Sequence, residues 1–383
     1  MTVISKEFFY KQVSDGIDCS ILHPWMDECV PANAYLMVQA AIGCTKFFFP
    51  LYLAQVILNR HNINWRRLVK SYIRTLIYSV SFVGFFMISN CIQCWYFGRL
   101  HYYSLALASG FFAGLPIFIE SPVNINLNTL YFFNMFLEAV VMNLESIGKI
   151  TRTKTKDTLA FMTCSSILMY LFDTQSCKPY NNLWFYQQKN STERNRDNCA
   201  HKDNCHMHIL KGIIQYFGVG FGLEVIKFAL TKFQALMKDP KLLITMLLNK
   251  NNLFFGLVTG GYVGIFRLVN CLLTKMDKRE RGYHKALAGF VSGITYCIKP
   301  NLQFGITAFA TIVQLLIQRA ERKIPIPSES VGVLFAVLNA LLFHNRFMYA
   351  DTCPKYITNM TKVCTNGLDT KTVEFLLDHM FAV

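Results

Sequence analysis

The sequence predicts an all-α protein: a polytopic membrane helix bundle of eight to ten spans, built from two tandem repeats. Three observations predict it. Apolar residues gather into runs long enough to cross a bilayer, basic residues gather into the short loops between them, and parts of the runs recur along the chain.

The runs set the element order. Hydrophobic residues make up 53% of the 383-residue chain and charged residues 16%, against roughly 25% charged in an average soluble protein. Tyr35–Leu58, Leu76–Trp95 and Phe254–Leu273 each reach the ~20 residues that carry a helix across a hydrocarbon core. The candidate spans are 34–58, 69–97, 103–120, 127–147, 158–173, 208–233, 252–274, 284–298, 302–319 and 330–345. The fifth, eighth and tenth are short: they tilt little, lie half-buried in protein, or do not cross. Thr174–Met207 is the one long polar stretch. The expected domains are a first membrane repeat at 1–173 with a cysteine-bearing N-terminal segment, a polar linker at 174–207 with a Cys/His cluster, a second membrane repeat at 208–349, and a tail at 350–383. In the tail, Leu368, Phe375, Leu376 and Met380 fall at near-helical spacing. They form an interfacial amphipathic helix or one that packs back on the bundle.

The formal net charge is +15, from 38 Lys and Arg against 23 Asp and Glu. Arg60, Arg66, Arg67 and Lys70, then Lys149, Arg152, Lys154 and Lys156, then Lys275, Lys278, Arg279, Arg281 and Lys285 all lie between apolar runs. There they anchor spans and meet anionic headgroups. The expected partner is therefore the lipid bilayer and not nucleic acid; the oligomeric state is not set. Lys6, Glu7, Lys11, Asp15 and Asp18 interrupt the first thirty residues, so no cleavable signal or transit peptide is expected. The closing Phe381-Ala382-Val383 is not a peroxisomal tripeptide. Thirteen cysteines, several within apolar runs (Cys44, Cys164, Cys271, Cys297), do not suggest a disulfide framework. Asn190 and Asn359 open glycosylation-type motifs.

The recurrence has a definite spacing. Val83, Gly84, Phe86, Asn90 and Cys91 match Val263, Gly264, Phe266, Asn270 and Cys271 at 180 residues. Gly110, Phe111 and Gly114 match Gly289, Phe290 and Gly293 at 179, and Asp27 and Cys29 match Asp203 and Cys205 at 176. The chain reads as two copies of a unit of about 175 residues. Five crossings per copy make the second copy inverted; four make the copies parallel, and both arrangements serve transporters.

Gly110, Gly114, Gly289 and Gly293 occupy the third span of each copy, with Gly84 and Gly264 in the second; Gly218 and Gly222 form a further pair. Small residues four apart form a groove for close helix packing, inside the bundle or at a dimer interface. Lys46, Glu138, Glu224, Lys227 and Arg267 are ionisable within apolar runs. Each must face the interior, find a partner or snorkel. Glu224 and Lys227 can pair along one helix face. Arg267 lines a polar cavity, reaches an anionic headgroup, or pairs internally.

Two clusters have metal-ligand chemistry: Cys19, His23 and Cys29, and Cys199, His201, Cys205 and His208 near His206. A metal set, a set combining both copies, a disulfide and an inert loop remain alternatives. Cys91-x-x-Cys94 lacks the strand-to-helix context of a redox motif and reads as packing. There is no phosphate loop, dinucleotide fingerprint, Gly-x-Ser-x-Gly or His-Glu-x-x-His, and no carboxylate pair stands out as an acid/base couple. No catalytic residue, cofactor or enzymatic activity is expected.

His23-Pro24 with Cys29, Pro50-Leu51-Tyr52-Leu53 with Val56-Ile57-Leu58, Asn249-Lys250-Asn251-Asn252 leading into the Gly264 run, and Ala288-Gly289-Phe290-Val291-Ser292-Gly293 together resemble the transmembrane protein 135 family. The resemblance runs from about His23 to about Pro327; the last fifty residues or so diverge. It implies a cysteine-rich N-terminal region and a later part similar to mitochondrial inner-membrane translocases and small peroxisomal membrane proteins. It further implies residence in mitochondria, peroxisomes or both, and a non-enzymatic influence on mitochondrial fission and fusion, peroxisome organisation and lipid homeostasis. Soluble fission machinery would be the partner, met through basic loops. The alternative is a transporter or channel for a lipid-like or anionic solute, motivated by the duplication, the short spans and Arg267, Glu138 and Glu224. A metal-dependent membrane enzyme would rest on the Cys/His clusters alone.

Overall fold

In hydrocarbon every main-chain donor and acceptor must be paired within the protein, and a helix does this without a neighbour. The regular elements described are accordingly all helical. The structure, a computed structural model, describes residues 4–12, 18–58, 64–174, 184–186, 199, 201–231, 239, 242–279, 281–321 and 327–381. Most of the polar stretch 174–207 lies outside these residues, as do Arg60, Asn190 and the side chain of Met380.

In chain order the helices are α1 (Lys6–Gln12), α2 (Cys29–Leu58), α3 (Trp65–Phe97), α4 (Ser109–Gly114), α5 (Pro122–Ser146), α6 (Lys154–Thr174), α7 (Cys205–Thr231), α8 (Leu242–Leu247), α9 (Lys250–Asp277), α10 (Gly282–Ser292), α11 (Leu302–Glu321), α12 (Ser328–Met348), α13 (Lys355–Cys364) and α14 (Leu368–Phe381). Their ends follow local chemistry. The Asn64 side chain accepts from Arg67 N–H at 3.1 Å to start α3, and Gly98 stops it at φ +73°. Ser121 with Pro122 starts α5, and Asn249 accepts from Asn251 N–H at 3.0 Å to start α9.

Among the described residues, six stretches are long and apolar enough to cross a membrane: Cys29–Val56, Trp65–Phe97, Pro122–Ser146, Cys205–Ala229, Ile244–Asp277 and Glu329–Met348. Ser104–Ile119 is apolar but shorter. Burial separates two kinds of span. Only 11% of the apolar window of α7 is buried, against 67% for α12. Val30 and Ile42 on α2, Ile73 and Ile92 on α3, and Ile214 on α7 stand exposed. Apolar surface on this scale is covered in a stable protein, and lipid is the cover that suits helices of this length. The chain is an all-α helical membrane protein.

Packing divides the chain into two units, Met1–Ile150 with Ile326–Val383, and Thr151–Pro325. In the first, α3 packs on α2 and α4, and α12 closes the unit against α4 and α5. Its aromatic core joins Phe132 to Phe335 at 4.7 Å and Phe82 to Phe343 at 5.4 Å between ring centres. The tail also belongs here. α13 packs on α2, Thr372 donates to Leu22 C=O at 3.0 Å, and Arg346 pairs with Asp369 at 2.9 Å. Of the two readings of the tail, this is packing back on the bundle. Thr361, in the Asn359 motif, is buried and donates to Asp369 at 2.9 Å.

In the second unit α9 packs on α7 and α10, and α6 closes it against α10 and α11. Phe161 stacks on Tyr296 at 4.6 Å and on Phe304 at 5.2 Å.

The compact units do not follow chain order. The expected first and second repeats meet at the polar stretch, but α6, which precedes it, packs with helices that follow it. Likewise α12 packs with helices far before it in the chain. The two closing helices, α6 and α12, are each 21 residues long. The third apolar piece is also built alike in both units: α4 tightens into a 3-10 turn at Leu115–Ile119, and α10 does so at Gly293–Ile298.

Candidate metal centres

In the first unit a short 3-10 turn, Cys19–Leu22, precedes α2, and the Asp18 carboxylate caps it by accepting from Cys19 N–H at 2.6 Å. The turn brings Cys19 and His23 beside Cys29, the first residue of α2, and Cys91, near the end of α3. Ligand atoms of all four lie within 4.8 Å of one another. The Cys19 and Cys29 sulfurs are 3.4 Å apart, well beyond the ~2.0 Å of a disulfide.

His23 is fully buried. Its Nδ1 is 2.8 Å from the Met26 carbonyl, which can only accept, so Nδ1 carries the proton. Nε2 is then an unprotonated lone-pair donor, buried and without a hydrogen-bond partner among the described residues. Cys94 lies alongside and donates its thiol to Asp18 Oδ1 at 3.6 Å.

The second unit repeats the arrangement. Cys199 and His201 precede α7, Cys205 is its first residue, and Cys271 lies near the end of α9; all four ligand atoms fall within 4.8 Å. Cys199 and Cys205 sulfurs are 3.9 Å apart, and His201 Nε2 lies 3.3 Å from Cys271 and 3.8 Å from Cys205 sulfur. His201 Nδ1 meets the Asp203 carbonyl at 2.8 Å, which fixes the same tautomer as in His23. Beside it, Lys211 donates to the Asp203 carboxylate at 2.6 Å and holds that carboxyl below the usual carboxylate range.

These sets depart from those expected. His208 is not grouped with the other three; its ring stacks on that of His201, centres 4.1 Å apart. Cys271 takes the fourth place, and Cys91 completes the first set. Each set lies within one unit. The sequence did carry a signal for the fourth member, since Asn90-Cys91 and Asn270-Cys271 recur together, but both cysteines sit inside apolar runs and read as packing.

The ionisable residues divide. Lys46 is exposed and donates to Asn366 Oδ1 at 3.0 Å. Glu138 is buried in α5. Glu224 lies 3.9 Å from Lys227 and 3.6 Å from Lys299, by a small polar pocket lined by Glu224, Lys227, Asn249 and Asn252. Arg267 takes the internal-pairing option: Nη1 donates to the His208 carbonyl at 2.5 Å, and the guanidinium lies over Gly212. Glu120 was not anticipated, because it ends an apolar run. It is buried and accepts from Thr75 at 2.7 Å and Asn124 at 2.8 Å.

The glycines form grooves between helices of one unit. A Cβ on Gly110 or Gly114 would stand 3.0 or 2.6 Å from Ala340 or Ala336 Cα of α12. On Gly289 or Gly293 it would stand 2.8 or 2.7 Å from Ser165 C=O or Met162 Cα of α6. Gly264 packs on Ile213, while Gly84 meets Met37 at ordinary contact distance and Gly218 and Gly222 have nothing within 4 Å. Each groove is tied by a bond to a glycine carbonyl: Asn339 Nδ2 to Gly110 at 2.5 Å, and Ser165 Oγ to Gly289 at 2.7 Å.

No model of a known protein family matches the chain, and no solved structure matches it.

Proposed function

We propose that this is a non-enzymatic membrane protein of mitochondria, peroxisomes or both, built from two copies of a five-helix unit that exchange their fifth helices. On this reading it influences mitochondrial fission and fusion, peroxisome organisation and lipid homeostasis by engaging soluble fission machinery through its basic loops. The observation that carries the reading is where the residues of the family resemblance lie. His23 and Cys29 belong to the first Cys/His set, Gly264 to α9 where it packs on α7, and Gly289 and Gly293 to the groove that receives α6. The duplication is supported by the matched sets, the matched 3-10 turns and the matched bonds to Gly110 and Gly289. Eight to ten spans require the shorter apolar pieces to cross as well as the six long ones.

Fluorescent tagging and gene disruption test this reading. Signal on mitochondria or peroxisomes, with altered mitochondrial length or peroxisome number on disruption, is expected. Signal confined to the plasma membrane, or both organelles unchanged, contradicts it.

A second reading, a transporter for an anionic solute, is favoured by the pocket at Glu224, where Lys227 and Lys299 bring two cations to one carboxylate. Charged groups in spans mark solute paths. Liposomes carrying the protein would then pass an anionic dye, and Lys299→Gln would slow it about tenfold, the loss of roughly 1.4 kcal/mol of ion pairing in the path. Tight liposomes dispose of this reading.

A further inference from the structure

We propose that each unit holds one zinc ion, bound by Cys19, His23, Cys29 and Cys91 in the first and by Cys199, His201, Cys205 and Cys271 in the second. Structural zinc is bound tetrahedrally by four Cys or His ligands, with Zn–S near 2.3 Å and Zn–N near 2.0 Å. That geometry places two ligand sulfurs about 3.8 Å apart and a sulfur and a nitrogen about 3.5 Å apart. The sulfurs stand 3.4 Å apart in the first set and 3.9 Å in the second, where nitrogen and sulfur stand 3.3 and 3.8 Å apart. These values, one in the first set and three in the second, lie close to those of a tetrahedral site, and all four ligand atoms of each set lie within 4.8 Å of one another.

Two further observations separate this from a chance gathering of thiols. Both histidines hold Nδ1–H on a main-chain carbonyl, Met26 in one and Asp203 in the other, which leaves Nε2 as the lone-pair atom, and in the second set Nε2 faces the sulfurs of Cys271 and Cys205. Holding the far nitrogen in this way is the usual outer support of a zinc-bound histidine. In the first set that Nε2 is buried with no hydrogen-bond partner among the described residues, a costly arrangement unless something else takes the lone pair. Secondly, the set occurs twice on equivalent elements: a leading segment, the first residue of one helix and the end of the next. With four ligands per ion no position is left open, so the sites are structural. Each ties the segment before a hairpin to the hairpin's far end. Sulfur-rich tetrahedral sites suit zinc among the divalent metals.

The test is elemental analysis of the full-length protein, purified in detergent under reducing conditions and reloaded with zinc. Two zinc ions per chain are expected. Cys91→Ser and Cys271→Ser should each remove one, and the pair both, while Cys94→Ser and Cys297→Ser should remove none. Replacing zinc with cobalt(II) should give the intense visible bands of tetrahedral thiolate coordination, a readout on the unaltered chain that stands even where a variant fails to fold. Fewer than two ions after reloading, iron in place of zinc, a Cys19–Cys29 or Cys199–Cys205 disulfide by mass spectrometry, or a metal content indifferent to Cys91 and Cys271 would each overturn the proposal.

Discussion

A single methyl group separates tolerated from disruptive changes at the glycines. On Gly114 or Gly293 it would press on helix backbone at 2.6 or 2.7 Å, and neither helix can yield as a side-chain tip can. Gly114→Ala and Gly293→Ala should each destabilise by roughly 1–3 kcal/mol through overpacking. Gly218→Ala and Gly222→Ala meet nothing within 4 Å and should leave thermal unfolding in detergent unchanged. The motif alone did not distinguish the four, because spacing gives a groove but not what fills it. Arg346 and Asp369, each 7% exposed, pose a different case. Arg346→Met strands a buried carboxylate and should cost about 3–5 kcal/mol, read as a lower Tm and faster proteolysis of the tail. An unchanged Tm would mean that the pair is solvated. Arg267 shows what a sequence withholds: three roles were open, and only the fold shows its guanidinium on the His208 carbonyl.

Helices were the most legible level. Runs of twenty or more apolar residues dictate α2, α3, α5, α7 and α9, and α12 forms over the shorter run at 330–345. Partners were not legible, because apolar helices in lipid have little hydrophobic preference among one another and choose by shape and hydrogen bonds. The choice rests on the grooves of α4 and α10 and on two bonds, Asn339 to Gly110 and Ser165 to Gly289. Asn339→Ala and Ser165→Ala should each lower stability by about 0.5–1.5 kcal/mol, the net worth of one hydrogen bond. Loss at one position and none at the other, in a thermal-shift series, would count against the two grooves being equivalent. The Cys/His sets were half legible in the same way. Residues close in sequence stood out, whereas Cys91 and Cys271 come from the far end of a hairpin, and only its folding brings them in.

At the scale of the whole molecule, α6 packs in the unit formed by the helices that follow it, and α12 in the unit formed by helices that precede it. An ordinary tandem arrangement would let each half of the chain stand alone. Here each half lacks the helix that fills its glycine groove and carries one that fits the other half. The most direct measurement is to cut the gene within residues 187–198, co-express fragments 1–190 and 191–383 with a tag on one, and purify in mild detergent. The untagged fragment should be retained, and Gly114→Leu with Gly293→Leu should release it. Two fragments that purify separately, each stable without the other, would contradict this packing.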